Sequence, residues 1–434
     1  MPETGDYRQI DIDRLQVGLY VTLDMPWLDH QFLTNSFKIK DEKQLAEIRR
    51  LGLVSIRYSP SRSEVEPLPA PAEPDSAAPP PSPPPPSPEE LAAIARKKGR
   101  VERLRVLRQS VNQCEKQFVQ AAGTYKEINQ HLHSRPRESV KLAAELVTRM
   151  ADSLLIDKDL AIHAMNDKVA GEDVYFHSLN VSVLAMMLAR EMRLGRPEIG
   201  LAGLGGLFHD IGKNRVPASI LRKSSPLTQA EQHFLAEHPK YGEEIGRTMH
   251  LPEPVLDIIR HHHEYLDGTG YPGHLRGQAI PLLTRVVTIA NTFDNLCNHA
   301  NPAKSLTPYE AVSLMFAKQR DRYDATALSV FIHCMGVYPP GTVVRLSDEI
   351  WGMVVSVNVR QPLRPVVLIH DPVVPKEEAI LINLEEERDF KITATCRPAE
   401  LPREVLEYLS PRRRVTYYFN EGTGEKTGPA QKAK

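Results

Sequence analysis

Residues 201–217, LAGLGGLFHDIGKNRVP, set a histidine and an aspartate side by side at the end of an apolar, glycine-rich helix. These two residues are His209 and Asp210, and Lys213 follows three positions later. An imidazole next to a carboxylate suits a first-row transition metal if further ligands converge from other helices. The stretch therefore predicts a metal site within a helical domain.

Three other helical segments supply candidate partners. His177 lies on the apolar face of one predicted helix, so its side chain points toward the core. His238 lies in a second segment, and the stretch HHHEYLDGTGYPGHLRG, residues 261–277, adds His262 and His263. Taken alone, His177 is typical of a core histidine. The histidine run, taken alone, is typical of a solvated loop. The four clusters together favour a shared metal site.

The carboxylate of Asp210 has two oxygens, so it can bridge two divalent cations about 3.5–4 Å apart. Water shared by such a pair is deprotonated near neutral pH and attacks phosphorus in line with the leaving group. Lys213 would bring positive charge to a phosphate oxygen. These residues predict hydrolysis of a phosphate ester.

The motifs resemble those of the HD-GYP domain, a branch of the HD phosphohydrolases. The resemblance implies a helical bundle, a centre of two or sometimes three ions, often iron or manganese, and a hydroxide that bridges the metals. It also implies hydrolysis of the bacterial messenger cyclic di-GMP to pGpG or GMP. The N-terminal segment resembles an uncharacterised domain often found ahead of HD-GYP domains. Within residues 170–305 the matching motifs, in the family's order, are HDIGK, HP, HHHEYLDGTGYP, LRGQAIPLLTRVVTIA and FDNL.

The resemblance assigns roles to individual side chains. Asp210 and Lys213 are predicted to be catalytic, and Lys213 matches the lysine that contacts a phosphate of the substrate. His261 matches no residue with a known role. The predicted substrate-binding residues are Lys213, Gly270, Tyr271 and Pro272 of the signature turn, and Lys304. The predicted metal ligands are His177, His209, Asp210, His238, His262, His263 and Asn291.

Three positions depart from the family pattern. Asn291 stands where the family usually has an aspartate, so a neutral amide replaces an anionic ligand and coordinates more weakly. Asp173 stands where members with three metals have the longer glutamate. Asn301 replaces a phosphate-binding arginine and leaves Lys304 as the nearby cation. These changes bear on the catalytic rate and not on the fold.

Two alternatives to a cyclic di-GMP phosphodiesterase stay open. The first is a catalytically weak receptor or signalling module that senses cyclic di-GMP. The intact HDIGK and HHHE motifs favour the enzyme, because a receptor has no need for a bridging carboxylate. The second is a different HD hydrolase that acts on ppGpp or a nucleoside triphosphate. The DGTGYP turn favours the cyclic dinucleotide branch.

The chain is expected to be multidomain, with an all-α HD-type helical bundle as its catalytic core. Proline-rich sequence predicts an extended linker, and alternation of β-branched residues predicts strands near both ends. The predicted divisions are a small α+β domain (1–65), a Pro-rich linker (66–88), a long helix (89–135), the HD-GYP domain (136–337), a small β-rich C-terminal domain (338–420) and a disordered tail (421–434).

The long helix carries an apolar stripe with alternating three- and four-residue spacing, which is typical of a heptad seam. One interpretation is a homodimer through helix 104–128, and the other is a single helix packed on its own domain. The stripe consists of Leu104, Leu107, Val111, Cys114, Phe118, Ala121, Tyr125 and Ile128.

Composition limits the remaining possibilities. The 54 basic and 55 acidic residues nearly cancel, which argues against a nucleic acid polymer or an anionic lipid surface as partner. Four scattered cysteines and a start without a signal-peptide pattern predict the cytoplasm. The longest apolar stretch falls short of the roughly 20 residues that span a bilayer, so no membrane insertion is expected. Protein partners are predicted for the N-terminal domain.

Overall fold

The fold is known from a computed structural model that describes residues 6–26, 29–32, 34–69, 87–156, 163–164, 173–223, 225–299, 301, 304–358, 361–410 and 417–418. In chain order, a sheet-containing N-terminal region comes first, a helical core second and a sheet-containing C-terminal region last. At this level the predicted fold class is confirmed. The predicted tail at 421–434 and most of the Pro-rich linker lie outside the described residues. Among the described helices, none has both the length and the apolar character of a transmembrane span.

The N-terminal region is a four-stranded antiparallel sheet with one helix. Its elements are β1 (Arg8–Asp11), β2 (Tyr20–Thr22), β3 (Ser36–Lys38), α1 (Glu42–Arg49) and β4 (Ser55–Tyr58), and the strand order is β1-β4-β2-β3. Helix α1 starts at the expected carboxylate, since the Asp41 side chain accepts the backbone N–H of Gln44 at 2.7 Å. After α1 the chain turns at Gly52, whose φ of +72° favours glycine.

A run of helices makes up the middle of the chain. They are α2 (Pro88–His131), α3 (Pro136–Ile156), α4 (Asp173–Glu191), α5 (Arg196–Phe208), α6 (Ala218–Leu221), α7 (Gln229–Ala236), α8 (His238–Thr248), α9 (Glu253–His261), α10 (Leu282–Cys297), α11 (Pro308–Lys318) and α12 (Ala325–Met335). A two-residue strand, β5 (His163–Ala164), lies between α3 and α4.

Helices α4 and α5 pack very closely in the helical core. The contact requires glycine at position 206, because a Cβ there would lie 2.8 Å from the Cα of Ser182 on α4. The close approach brings two predicted ligands together, His177 from the second turn of α4 and His209 just after α5.

Part of the apolar stripe on α2 is buried in this helical core of the same chain. Phe118, Ala121, Tyr125 and Ile128 are each at most 4% exposed, and they pack with residues of α3, α4 and α5. This is the intradomain packing named as the alternative to a dimer seam. The side chains of Leu107, Val111 and Cys114 lie outside the described residues, and the homodimer stays a prediction.

The C-terminal region contains the antiparallel strands that alternation in residues 341–370 predicts, and also a short helix that it does not. The elements are β6 (Val343–Leu346), β7 (Trp351–Ser356), β8 (Val366–Ile369), β9 (Ile380–Asn383), β10 (Ile392–Cys396), α13 (Arg403–Leu409) and β11 (Tyr417–Tyr418). The sheet order is β10-β6-β7-β8-β9, and β11 pairs with β5. Helix α13 packs on this sheet through Val405 and Leu409.

The chain divides into two compact units. One unit comprises Met1–Arg108, Val343–Met353 and Val367–Ser410, and the other comprises Gln109–Thr342, Val354–Val366 and Pro411–Lys434.

A buried polar network joins distant segments of the first unit. Lys97, 1% exposed, contacts Nδ1 of His30 at 3.2 Å, and the other ring nitrogen contacts Oδ1 of Asn35 at 3.0 Å. The backbone N–H of Asn35 donates to Asp371 at 3.0 Å. Burial and then the charge of Lys97 lower the pKa of His30 to about 3, so the neutral ring accepts from the lysine.

Candidate metal centre

Three of the predicted ligands follow the ends of helices, and this placement orients their rings. The carbonyl groups of the last helical turn have no partner within the helix, so they are available to a nearby ring N–H. Each histidine points Nδ1 at the carbonyl three residues earlier, which leaves Nε2 facing the interior of the cluster. The Nδ1–O distances are 2.7 Å from His209 to Gly206, 2.7 Å from His238 to Leu235 and 2.9 Å from His262 to Ile259.

His177 lies in the second turn of α4 and obtains the same orientation from a carboxylate. Its Nδ1 is 2.6 Å from Oδ2 of Asp294 on α10. The other oxygen of Asp294 accepts amide N–H groups from Asn180 at 2.8 Å and from Asn298 at 3.0 Å. Metal-binding histidines usually donate the second ring N–H in this way, to a carbonyl or a carboxylate.

The Nε2 atoms of these histidines surround Asp210 in two groups. Next to Oδ1 lie His238 at 3.3 Å and His262 at 3.7 Å. Next to Oδ2 lie His209 at 3.4 Å and His177 at 3.6 Å. The first group consists of Asp210, His238, His262 and His263, and the second consists of His177, His209 and Asp210. Within each group the potential ligand atoms all lie within 4.8 Å of one another.

The chemistry of this cluster fits divalent metal ions. Oδ1 of Asp210 is buried and has no hydrogen-bond partner among the described residues, although buried carboxylate oxygens normally have one. Burial lowers the pKa of His209, His262 and His263, so these rings are neutral and keep the lone pair that a metal requires. The cluster could therefore hold metal ions, and Asp210 is common to both groups.

Asp210 is charged in spite of its burial. Burial by itself would raise the pKa of this carboxyl, but the positive charge of Lys213 holds it well below its ordinary value. Nζ of Lys213 lies 2.5 Å from Oδ2 of Asp210, and 31% of the lysine side chain is exposed. The lysine thus reaches from solvent to the cluster.

The glycine-rich turn after the histidine run packs on His263. The ring of Tyr271 stacks on His263 with 4.6 Å between centroids and 17° between planes. Gly270 lies so close that a Cβ there would be 2.4 Å from the carbonyl oxygen of His263. Pro272 follows Tyr271 through a cis peptide bond. The turn that sequence assigned to substrate binding therefore also supports a predicted ligand.

Glu264 is the acidic residue that ends the HHHE run. Its side chain is buried, and both oxygens accept backbone N–H groups of the turn. Glu264 therefore anchors the turn, a role that sequence reasoning missed. The N–O distances are 2.5 Å from Gly273 and 3.0 Å from Leu275.

Helix α10 runs along the cluster. The hydroxyl of Thr288 donates to the carbonyl of His262 at 3.1 Å, and Asp294 contacts His177. Asn291 lies between them at three-residue spacing, so it faces the same side of the helix. It is buried, and its Oδ1 accepts from Asn295 at 2.7 Å. The structure thus brings Asn291 to the side of α10 that faces the cluster.

Lys304 is exposed in the segment after α10, so its role in substrate binding stays a prediction. Asp294 was missed as a functional residue. Its signal was available, because it stands three residues after Asn291 on one predicted helix.

Two family models match this chain. A model described as an HD domain matches residues 145–327, and a model for a domain of unknown function, DUF3391, matches residues 7–143. The chain carries an HD domain. All of the predicted metal ligands lie inside the HD domain match, which is consistent with the HD-GYP family that the motifs resemble.

Relatives of the HD domain include named phosphodiesterases. A cyclic di-GMP phosphodiesterase of Pseudomonas aeruginosa is 34% identical over 224 residues, covering 51% of this chain and 54% of the relative. The cyclic di-GMP phosphodiesterase response regulator RpfG of Xanthomonas campestris is 34% identical over 33% of this chain and 38% of its own length. A 3'3'-cGAMP-specific phosphodiesterase of Vibrio cholerae is 30% identical over 38% of this chain and 35% of its own length.

Each of these matches thus covers only part of the relative. The chain spans about half the length of the first relative and less of the other two. Their names include two different cyclic dinucleotides as substrates.

Proposed function

We propose that this protein is a metal-dependent phosphodiesterase that hydrolyses cyclic di-GMP to pGpG, GMP or both. The observation that carries the proposal is the position of Asp210 between two sets of histidine nitrogens, within 3.3–3.7 Å of four of them. A single carboxylate shared by two ligand groups is the arrangement that suits a pair of ions.

The proposed cofactors are two divalent ions, iron or manganese. His177, His209 and Asp210 would hold one ion, and Asp210, His238, His262 and His263 the other. Asn291 would contribute an amide oxygen. When bound, the ions would supply the Lewis acidity that activates water for attack on phosphorus.

Residues around the cluster would act on the substrate. Lys213 carries a positive charge next to Asp210 and is partly exposed, so it is suited to contact a phosphate oxygen. The turn at Gly270, Tyr271 and Pro272 closes one side of the cluster and would contact the dinucleotide. Lys304 would add a second cation for the substrate phosphates.

A catalytically weak cyclic di-GMP receptor is the second candidate, and Asn291 is the observation that favours it. A neutral amide binds a divalent ion less firmly than a carboxylate, so one site would be filled less completely. The opposing argument is the intact set of five imidazoles, which lie in two groups that share one charged carboxylate.

Metal analysis combined with product analysis separates these candidates. Protein purified without oxygen is expected to contain iron or manganese and to convert cyclic di-GMP to pGpG or GMP. The products are identified by chromatography. The same protein is incubated with 3'3'-cGAMP, because one relative bears that name. Metal-loaded protein that binds cyclic di-GMP without product would support the receptor, and cleavage of ppGpp alone would support a different hydrolase.

The wider organisation is proposed on the sequence patterns. The HD-GYP catalytic domain would extend over 136–337, between the N-terminal domain at 1–65 and the C-terminal domain at 338–420. The protein would act in the cytoplasm, and its N-terminal domain would bind protein partners. A homodimer would use the part of helix 104–128 that is not buried in its own core.

A further inference from the structure

Tyr125 comes from outside the HD domain match and yet lies next to the metal centre. It belongs to α2, and the DUF3391 match covers residues 7–143, whereas the HD domain match starts at residue 145. The side chain is 2% exposed and is part of the helical core. The sequence predicted only an apolar stripe at this position and no role in the site.

The hydroxyl of Tyr125 donates to the carbonyl oxygen of Leu207 at 2.6 Å. Leu207 is in the last turn of α5, where a carbonyl has no partner from a continuing helix. His209 and Asp210 come directly after that turn. The adjacent carbonyl, of Gly206, accepts Nδ1 of His209. Two neighbouring carbonyls at one helix end are thus occupied, one by a ligand ring and one by Tyr125.

The tyrosine is held firmly enough to act as a fixed donor. Its ring packs edge-on against Tyr175, with 5.9 Å between centroids, and lies 6.4 Å from the ring of Phe208. Burial raises the pKa of the phenol, so the hydroxyl keeps its proton. A rigid donor at this place restrains the backbone of α5 at the point where the ligand pair begins.

We infer that Tyr125 is a positioning residue for the His209–Asp210 pair, so that the DUF3391 region completes the metal centre of the HD domain. The inference rests on the proposed metal site. Without the hydroxyl, the carbonyl of Leu207 loses a buried partner, and the last turn of α5 can shift. The ring of His209 would move with this turn, because the orientation of the ring depends on the carbonyl of Gly206 in the same turn.

The test compares Tyr125→Phe with Tyr175→Phe in the full-length protein. Both changes remove one hydroxyl from a tyrosine of the same aromatic pair, but only the first removes the bond to Leu207. Mn²⁺ affinity is measured by titration of metal-free protein. Tyr125→Phe is expected to weaken binding about tenfold, within the range that supporting contacts of metal ligands carry. Tyr175→Phe is expected to bind like wild type.

A second variant in the same titration restores the hydrogen-bond donor at position 125. The 4-aminophenylalanine variant at position 125 carries an N–H group at the end of the same ring, and it should recover most of the lost affinity. Wild-type affinity in Tyr125→Phe would overturn the inference. If Tyr125→Phe does not fold, weak metal binding by a folded 4-aminophenylalanine variant would overturn it instead.

Metal titration also keeps this inference separate from the proposed reaction. If wild type binds Mn²⁺ but cleaves no cyclic dinucleotide, the proposed function fails while the role of Tyr125 is still decided by affinity. If wild type binds no divalent ion, both fail together, since there is then no metal pair for Tyr125 to position.

Discussion

His177 and Asp294 link α4 and α10 at the metal centre, with Nδ1 2.6 Å from Oδ2. Two asparagines hold the second oxygen of Asp294, so the carboxylate is fixed and in turn fixes the ring. A proton on Nδ1 leaves Nε2 with its lone pair, on the side where Asp210 and His209 lie. Asp294 therefore selects the form of His177 that can bind a metal.

Asp294→Asn should weaken metal binding at the group of His177, His209 and Asp210. An amide N–H directed at Nδ1 would favour the proton on Nε2, which is the nitrogen that has to coordinate. We expect a loss of about 10- to 100-fold in Mn²⁺ affinity at one site, measured by titration. Asp321→Asn, an exposed aspartate, is the control. Unaltered affinity in Asp294→Asn would contradict this role.

Asp210→Ala should abolish hydrolysis and lower the metal content of both groups, because one carboxylate serves both. Helix content by circular dichroism should stay near that of wild type, since Asp210 follows the end of α5 and is not part of the apolar packing. Asp152→Ala, which removes a carboxylate paired with Arg196 at 2.6 Å, is the control. Normal turnover in Asp210→Ala would rule out the shared-carboxylate site.

Lys213→Ala should keep the metal and lose rate or substrate affinity. A lost charge-assisted hydrogen bond to phosphate costs about 1.5–3 kcal/mol, which is measurable in kcat/KM. Lys240→Ala is a close control, because Lys240 also pairs with a carboxylate three residues earlier and is similarly exposed, 38% against 31%. Loss of metal together with activity would assign Lys213 to the structure of the site.

Asn291→Asp should raise metal occupancy at limiting metal, because an anionic oxygen replaces an amide oxygen. Hydrolysis should rise with it if occupancy limits turnover, and the gain should shrink in excess Mn²⁺. Equal occupancy in Asn291→Asp and wild type would exclude Asn291 as a ligand.

Glu264→Gln should loosen the turn that supports His263. The amide offers one acceptor where the carboxylate accepts two backbone N–H groups, so one buried donor is left unpaired at a cost of about 1–3 kcal/mol. Urea unfolding should show lower stability, and Mn²⁺ titration should show weaker binding at the group that includes His263. Glu253→Gln, at a residue whose side chain is 71% exposed, should change neither.

Local sequence was sufficient for the helices and for the identity of most candidate ligands. The periodicity of α4 put His177 on a buried face, and HDIGK and HHHE each end a helix, where ring N–H groups find carbonyl partners three residues back. These relations depend on neighbours within one turn. They can be read from residue order and helical geometry alone.

Contacts between distant segments needed the tertiary structure. Periodicity marks the apolar face of α2 but does not show which element packs on it. The hydrogen bond from Tyr125 on α2 to Leu207 on α5 joins residues 82 positions apart. The link from His177 to Asp294 spans 117 positions, and the burial of Lys97 beside His30 spans 67. Side-chain polarity alone predicts exposure for Lys97 and a free carboxylate for Asp294. Only packing removes water from these groups and so determines which partner each must have.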